Sequence, residues 1–463
     1  MTTTKGGSSL RLVLTVLFLG VLMGALDIAI VGPALPALRE WFTVDDRAGA
    51  WVFTIYVFLN LLGAPLMAKL SDRYGRRPAY MLAVGLFTIG SAIAAASPSF
   101  LVLLIGRSLQ GLGAGGIFPV ASAVVGDSFP PERKGFALGM IGAVFGLAFI
   151  VGPILGALLL TIGWQWIFLV NLPIAVVVLV LGWITLPATG AAKPQPFDVL
   201  GMITLALLLG GLTIGASNLD ATNLAGSIAT PLVWPFLLIA VLATPAFWWA
   251  EGRAADPLLR RSLISTRQLA LANSITAGAG LGEGIIVFLP SLAVAAYGVS
   301  ESTASYMTLP VVLAMSVGSP LAGRLLDKIG SRLVVMGGAI LLTAGMFLLG
   351  LLGAHLWAFY LASSLIGLGL ASLIGAPIRY IMLNEAPPED RTAAQSAVTV
   401  FTGVGQLLSG ALVGAVAASA GGGVSGYTMA YLVSAVPSLL LVVLSLGLRR
   451  RSASGASMAQ PVH

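Results

Sequence analysis

Long apolar runs separated by short polar junctions recur along the whole chain, and their lengths predict its elements. A helix that crosses a bilayer needs about 20 mostly apolar residues. Fourteen stretches meet that requirement: 11–36, 49–70, 78–97, 100–126, 134–160, 166–187, 199–217, 231–250, 268–295, 303–327, 332–352, 355–384, 392–418 and 427–449. Pro231, Pro235 and Pro245 interrupt the eighth. The pattern predicts an all-α membrane protein with 14 transmembrane helices.

The polar junctions carry an orientation, because Lys and Arg collect on the cytoplasmic side of membrane proteins. With the N terminus inside, twenty of the 24 basic residues fall in inner segments. Only Arg39 and Arg47 fall outside, and Arg107 and Arg379 remain within spans. Both termini are therefore expected in the cytoplasm. A bacterial cytoplasmic (inner) membrane is expected from the high Ala and Gly content. This sorting also accounts for the net charge of +7 without a nucleic-acid partner.

Composition narrows the class of function. Hydrophobic residues make up 58% of the 463 and charged residues 9%, against roughly 25% charged in soluble domains. The chain has no cysteine, and its two histidines are His355 and His463. That removes disulfides, thiolate metal sites and iron–sulfur clusters, and it leaves no credible His-based metal centre. No metal or cofactor is expected, and a chain this long without such groups is expected to move a solute, not to convert one. A membrane-embedded enzyme or sensor is the rival that this scarcity disfavours.

Two motifs repeat at one offset. AKLSDRYGRRP (68–78) and GRLLDKIGSR (323–332) share the form small-x-x-x-Asp-basic-x-Gly-x-basic, with Asp72 and Asp327 lying 255 residues apart. FPPERKGFA (129–137) and APPEDRTAA (386–394) match at nearly the same offset. Duplicated halves, as in many transporters, follow as the expectation. One six-helix bundle would occupy 1–187, two inserted helices and a linker 188–267, a second pseudo-symmetric six-helix bundle 268–449, and a tail 450–463.

These segments resemble the major facilitator superfamily. AKLSDRYGRRP is similar to its loop signature between the second and third helices, and GRSLQGLGAGG (106–116) to its fourth-helix arginine motif. The run from Gly146 to Gly156, with Gly152 and Pro153, resembles the fifth-helix motif of its antiporters. LDIAIVGPALP (26–36), WQWIFLVNLPI (164–174) and the linker WAEGRAADPLLRRSLIS (249–265) resemble the fourteen-helix drug:proton antiporter family. The chain departs from its pattern in three places: Ala68, Gly32-Pro33 and Ala157. The resemblance implies alternating access and proton-driven efflux. It also implies that Asp72, Arg73, Gly75, Arg76 and Arg77, with Asp327 in the second half, form a charge latch stabilising the outward-facing state. Asp127 and Glu132 are expected either to accept from that network or to lie in a solvated loop.

Few ionisable residues lie deep in the spans, and each is costly there, so each is a functional candidate. Asp27 lies about 16 residues into its helix, roughly 24 Å at 1.5 Å per residue. Arg107 reaches a similar depth from the opposite direction. An apolar surrounding favours the neutral acid and a neighbouring guanidinium the carboxylate, so motion that changes their separation would bind and release a proton. A permanent salt bridge between the first and fourth helices is the plainer alternative. Glu283 falls one residue from the repeat equivalent of Asp27, among glycines at 278, 280, 282 and 284. It is expected to be a second proton site or the partner of a cationic substrate, or a carboxylate that merely faces a wet cavity. Arg379 is expected to snorkel. The small-xxx-small spacing of Gly142, Gly146, Gly152 and Gly156 allows tight helix crossing, either as a dry seam or as ordinary packing.

Trp51, Phe53, Tyr56, Phe118, Phe145, Phe149 and Tyr306 are the expected cavity wall. An apolar aromatic cavity with one or two carboxylates suits lipophilic, often cationic, drugs. A lipid or lipid-like metabolite is the alternative cargo. The expected partners are protons, lipophilic small molecules and membrane lipids, with the protein acting as a monomer.

Overall fold

The computed structural model describes residues 5–187, 198–220, 222–255, 257–259, 261–386 and 391–449. Helices account for nearly all of them. The N-terminal set comprises α1 (Lys5–Phe42), α2 (Asp46–Tyr74), α3 (Arg76–Ala95), α4 (Phe100–Ser128), α5 (Pro131–Leu160), α6 (Trp166–Leu169) and α7 (Asn171–Thr185). Next come α8 (Val199–Ser217), α9 (Leu224–Ile228) and α10 (Trp234–Glu251). The C-terminal set is α11 (Arg267–Ile286), α12 (Leu289–Tyr297), α13 (Glu301–Tyr306), α14 (Leu309–Ile329), α15 (Ser331–Leu352), α16 (Leu356–Ile374), α17 (Ala376–Glu385), α18 (Arg391–Ser419) and α19 (Gly423–Leu446).

Among the described residues thirteen spans are long and apolar enough to cross a membrane, where fourteen were expected. The fifth expected span lies in α5, whose described apolar part is Val151–Leu160. Four expected spans are each cut in two, at Val170 between α6 and α7 and, in the other three, ahead of a proline. Proline lacks the amide N–H and clashes with the carbonyl four residues back, and Pro290, Pro310 and Pro377 stand in the first turns of α12, α14 and α17. Other prolines, including Pro33, Pro65, Pro119 and Pro153, are carried inside continuous helices.

The turns before α3 and α15 have one geometry. Gly75 (φ 97°, ψ 160°) donates its N–H to Ser71, and Gly330 (φ 82°, ψ 163°) donates to Leu326. That region of backbone space is open essentially only to glycine. These glycines hold equivalent places in the two repeated motifs.

Close approach of backbones organises the N-terminal set. A Cβ on Gly106 would stand 2.6 Å from Ala94 N, and one on Gly111 would stand 2.3 Å from Tyr56 O. Small residues on α4 thus let α3 and α2 press against it, which brings the α2 backbone to the side chains that α4 directs inward. The α8–α10 hairpin packs on itself through Gly211 against Phe236 and Gly215 against Leu237. It also touches α2, where Phe58 meets Gly210. Its ends are fastened: Asp198 accepts from Gly201 N (2.7 Å), Glu251 from Leu259 N (2.8 Å), and Leu219 O from Arg47 (3.2 Å).

Contacts between the N- and C-terminal sets cluster at the end of the molecule that holds the α1–α2 turn. Ala50, Thr54 and Leu61 in the first part of α2 meet Gly414, Gly410 and Gly403 of α18. Ser302 donates to Ala157 O (2.9 Å) and Ser305 to Pro153 O (2.5 Å), joining α13 to the far end of α5. The rings of Phe53 and Phe288 meet edge to face with centroids 6.3 Å apart.

Candidate functional site

Asp27 and Arg107 meet in the core of the N-terminal set, and both are fully buried. Arg107 Nη1 donates to Asp27 Oδ2 at 2.6 Å and to Gln110 Oε1 at 2.9 Å, and its Nε donates to Val52 O at 3.0 Å. The other carboxylate oxygen, Oδ1, accepts from Gln110 Nε2 (3.0 Å) and Asn171 Nδ2 (3.1 Å). Ser91 Oγ accepts from the same two amides, at 2.8 and 3.4 Å. The guanidinium lies 4.2 Å from the ring centre of Tyr56, and its Nη2 has no hydrogen-bond partner. Five helices (α1, α2, α3, α4 and α7) therefore converge on one ion pair. A buried pair is tolerable only when its remaining polar atoms are satisfied, and Gln110, Asn171 and Ser91 do most of that here.

Scarcity of buried charge singles out Asp27 and Arg107 in the sequence, but not these three neutral residues. Gln110 was legible in principle, because residues three apart share a helix face. Asn171 sits in a quoted motif, but nothing local says that it points at α1.

Glu283 occupies a different place. It faces a cavity of about 50 Å³ between the N- and C-terminal sets. The N-terminal side of the lining is Ile28, Ala29, Gly32, Pro33, Phe53 and Pro153. The C-terminal side is Glu283, Gly284, Ile286, Val287, Pro290, Thr308, Val312 and Gln406. Polar side chains come only from Glu283, Thr308 and Gln406. At about 10–15 Å³ per water, this space holds a few waters. It falls far short of the roughly 300–1,000 Å³ of drug-sized pockets.

Of the expected wall residues, Phe53 lines this cavity, while Trp51, Tyr56, Phe118 and Tyr306 do not. Tyr56 is buried against Arg107, and Tyr306 is 40% exposed. Aromatic identity alone does not say which side of a helix faces the seam. The side chains of Phe145, Phe149 and Asp327, and the surroundings of Gly146, lie outside the described residues, as do the 188–197 linker and the 450–463 tail.

The latch residues separate. Arg76 donates to Asp72, to Ser71 Oγ (3.1 Å) and, through Nε, to Asp127 Oδ2 (2.8 Å), which ties the α2–α3 turn to the end of α4. Arg73 lies over Tyr74 and Arg77 over Trp183. In the fifth-helix motif Gly152 and Gly156 face Ala29 and Ile30 of α1, while the Pro153 and Ala157 carbonyls accept from α13. Arg379 is exposed in α17.

At the opposite end from the α2–α3 turn, a polar cluster links the two sets. Arg39 pairs with Asp46 (2.5 Å) and donates to Tyr427 Oη (2.8 Å), and Tyr427 donates to Asp46 Oδ1 (2.5 Å). Asp46 and Tyr427 are buried. The sequence places Arg39 on the outer side, and nothing local in it points to Tyr427, 388 residues away.

Residues 17–250 and 269–461 match the Major Facilitator Superfamily. The chain belongs to that superfamily. It is 35% identical over 399 residues to the uncharacterized MFS-type transporter YfiU of Bacillus subtilis (strain 168), spanning 84% of this chain and 76% of that one. It is 31% identical over 427 residues to Multidrug resistance protein 3 of the same organism, spanning 90% and 81%. The crystal structure of a bacterial homolog of the human lysosomal transporter Spinster shares the fold. It has a TM-score of 0.65 at 15% identity, covering 98% of this chain and 100% of that one. The protein is thus a multi-pass membrane transporter and not an enzyme.

Proposed function

We propose that this transporter is a proton-coupled efflux antiporter for lipophilic, often cationic, drugs. The observation that carries the reading is a carboxylate, Glu283, facing a mostly apolar cavity on the seam between the N- and C-terminal helices. The names of its relatives as multidrug resistance proteins support the cargo class. Glu283 attracts a cation, and the apolar wall accepts its body.

Asp27 is the proton switch. In this proposal, motion of α1 against α4 that parts Asp27 from Arg107 exchanges a proton. On this reading the chain has six helices, two inserted helices and six more, with both termini in the cytoplasm. The crowding of contacts at the α1–α2 end then corresponds to a state closed toward the outside. The Arg76–Asp72–Asp127 latch then stabilises the outward-facing state, and parting of the two sets enlarges the 50 Å³ space for cargo.

Purified protein in proteoliposomes with an imposed pH gradient tests this reading. Cationic dye efflux should carry protons in the opposite direction, and Asp27→Asn should abolish both fluxes while the protein still reaches the membrane. Retention of drug-dependent proton flux by Asp27→Asn would sink the switch. The nearly all-apolar lining also suits a lipid or lipid-like metabolite as cargo. Lipids that displace a cationic dye and are themselves moved by the proton gradient would favour that reading.

A further inference from the structure

Arg76 and Arg77 are neighbours at the start of α3 but face different surroundings. Arg76 is enclosed by Asp72, Ser71 and Asp127. Arg77 turns to the other flank, where its guanidinium lies 4.3 Å from the ring centre of Trp183 in α7. Its Nε is buried without a hydrogen-bond partner, and Trp183 is 61% exposed. Directly beside this pair a groove of about 430 Å³ is lined by Met81, Leu179, Val180, Trp183 and Ile184, with no polar side chain among them.

We propose that this groove binds one anionic phospholipid, its phosphate on the edge of Arg77 and an acyl chain between α3 and α7. The geometry fits the order of groups along such a lipid. Arg77 and Trp183 lie at the ends of their helices, at the level where arginine and tryptophan meet the membrane–water interface. Met81 and Leu179 lie one turn deeper, where the chain must be apolar. Stacking on Trp183 occupies the face of the guanidinium and leaves its planar N–H fork for a phosphate, which it matches in two-point geometry. No carboxylate lines the groove to compete for it. Its lining shares no residue with that of the central cavity.

The full-length purified protein in detergent, followed by native mass spectrometry, tests this. Phosphatidylglycerol should be retained as a single adduct at about fivefold lower free lipid than phosphatidylcholine of the same chains, one arginine's share near an anionic surface. Arg77→Gln should erase that preference and Arg77→Lys should keep most of it. Leu179→Trp, which fills the groove and leaves Arg77 in place, should lower retention of both lipids. In reconstituted protein, phosphatidylglycerol with brominated chains should quench tryptophan fluorescence less in Trp183→Phe than in the parent. This measurement and Leu179→Trp decide the matter if Arg77→Gln fails to fold. Equal retention of the two lipids, no effect of Leu179→Trp, or unchanged quenching in Trp183→Phe would overturn the proposal. So would displacement of the adduct by glycerol phosphate as effectively as by the lipid, which would mark a site for small anions.

Discussion

At the residue scale the cost of burial sorts the charged groups. Asp27 and Arg107 are affordable at 0% exposure because amides from α4 and α7 complete the carboxylate's shell. Gln110 therefore acts as a positioning residue, holding Asp27, Arg107 and Ser91 at once. A lost hydrogen bond to a charged group costs about 1.5–3 kcal/mol, so Gln110→Ala should lower the thermal unfolding temperature in detergent. Gln110→Glu should do worse, since it sets a second carboxylate beside the first. Glu283 is held differently, in a small cavity that Gln406 also lines. Glu283→Gln should therefore leave the fold intact and weaken transport of monovalent cations more than that of neutral drugs. Parallel efflux assays with the two classes check this, and equal losses would count against a cation-binding role.

At the element scale, helix ends and helix breaks carry more information than helix lengths. Prolines in the first turns of α12, α14 and α17 divide what the apolar pattern reads as single spans. Hydropathy sums over a window, and one missing N–H barely changes the sum. The glycine turns before α3 and α15 are the opposite case, since the repeated motif located them and the backbone explains them. Gly75→Ala and Gly330→Ala should each cost about 1–3 kcal/mol, the usual penalty for a side chain in this region. Similar losses of thermal stability in the two variants would agree with equivalent roles. Asp127→Asn should spare those turns and instead loosen Arg76, which shows as faster proteolysis at the α2–α3 junction.

At the scale of the whole molecule, alternating access requires breakable contacts at one end of the seam. On the proposed reading the Arg39–Asp46–Tyr427 cluster supplies such a contact, being polar, largely buried and shared between the N- and C-terminal helices. Asp46→Asn removes the charge that holds Arg39 and Tyr427 together, so the population open at that end should rise. The natural absence of cysteine allows a direct measurement. A single cysteine at Val287, which lines the cavity, should react several-fold faster with a membrane-impermeant maleimide from that side in the Asp46→Asn background. An unchanged rate would show that the cluster is packing and not a gate.

Much of this architecture was determined by the chain alone. Apolar length set the spans, because a bilayer must be crossed by about 20 such residues. Scarcity of charge marked Asp27, Arg107 and Glu283, because each ion is costly at that depth. Periodicity located the two glycine turns. Tertiary structure decided the rest. It put Gln110 and Asn171 on Asp27, Gln406 in one cavity with Glu283, Tyr427 on Asp46 and Trp183 under Arg77. It also removed Trp51, Tyr56, Phe118 and Tyr306 from the cavity lining. Hydrophobicity is a property each residue carries along the chain, whereas a partner 83 or 381 residues away is set only when helices pack and choose which face meets which.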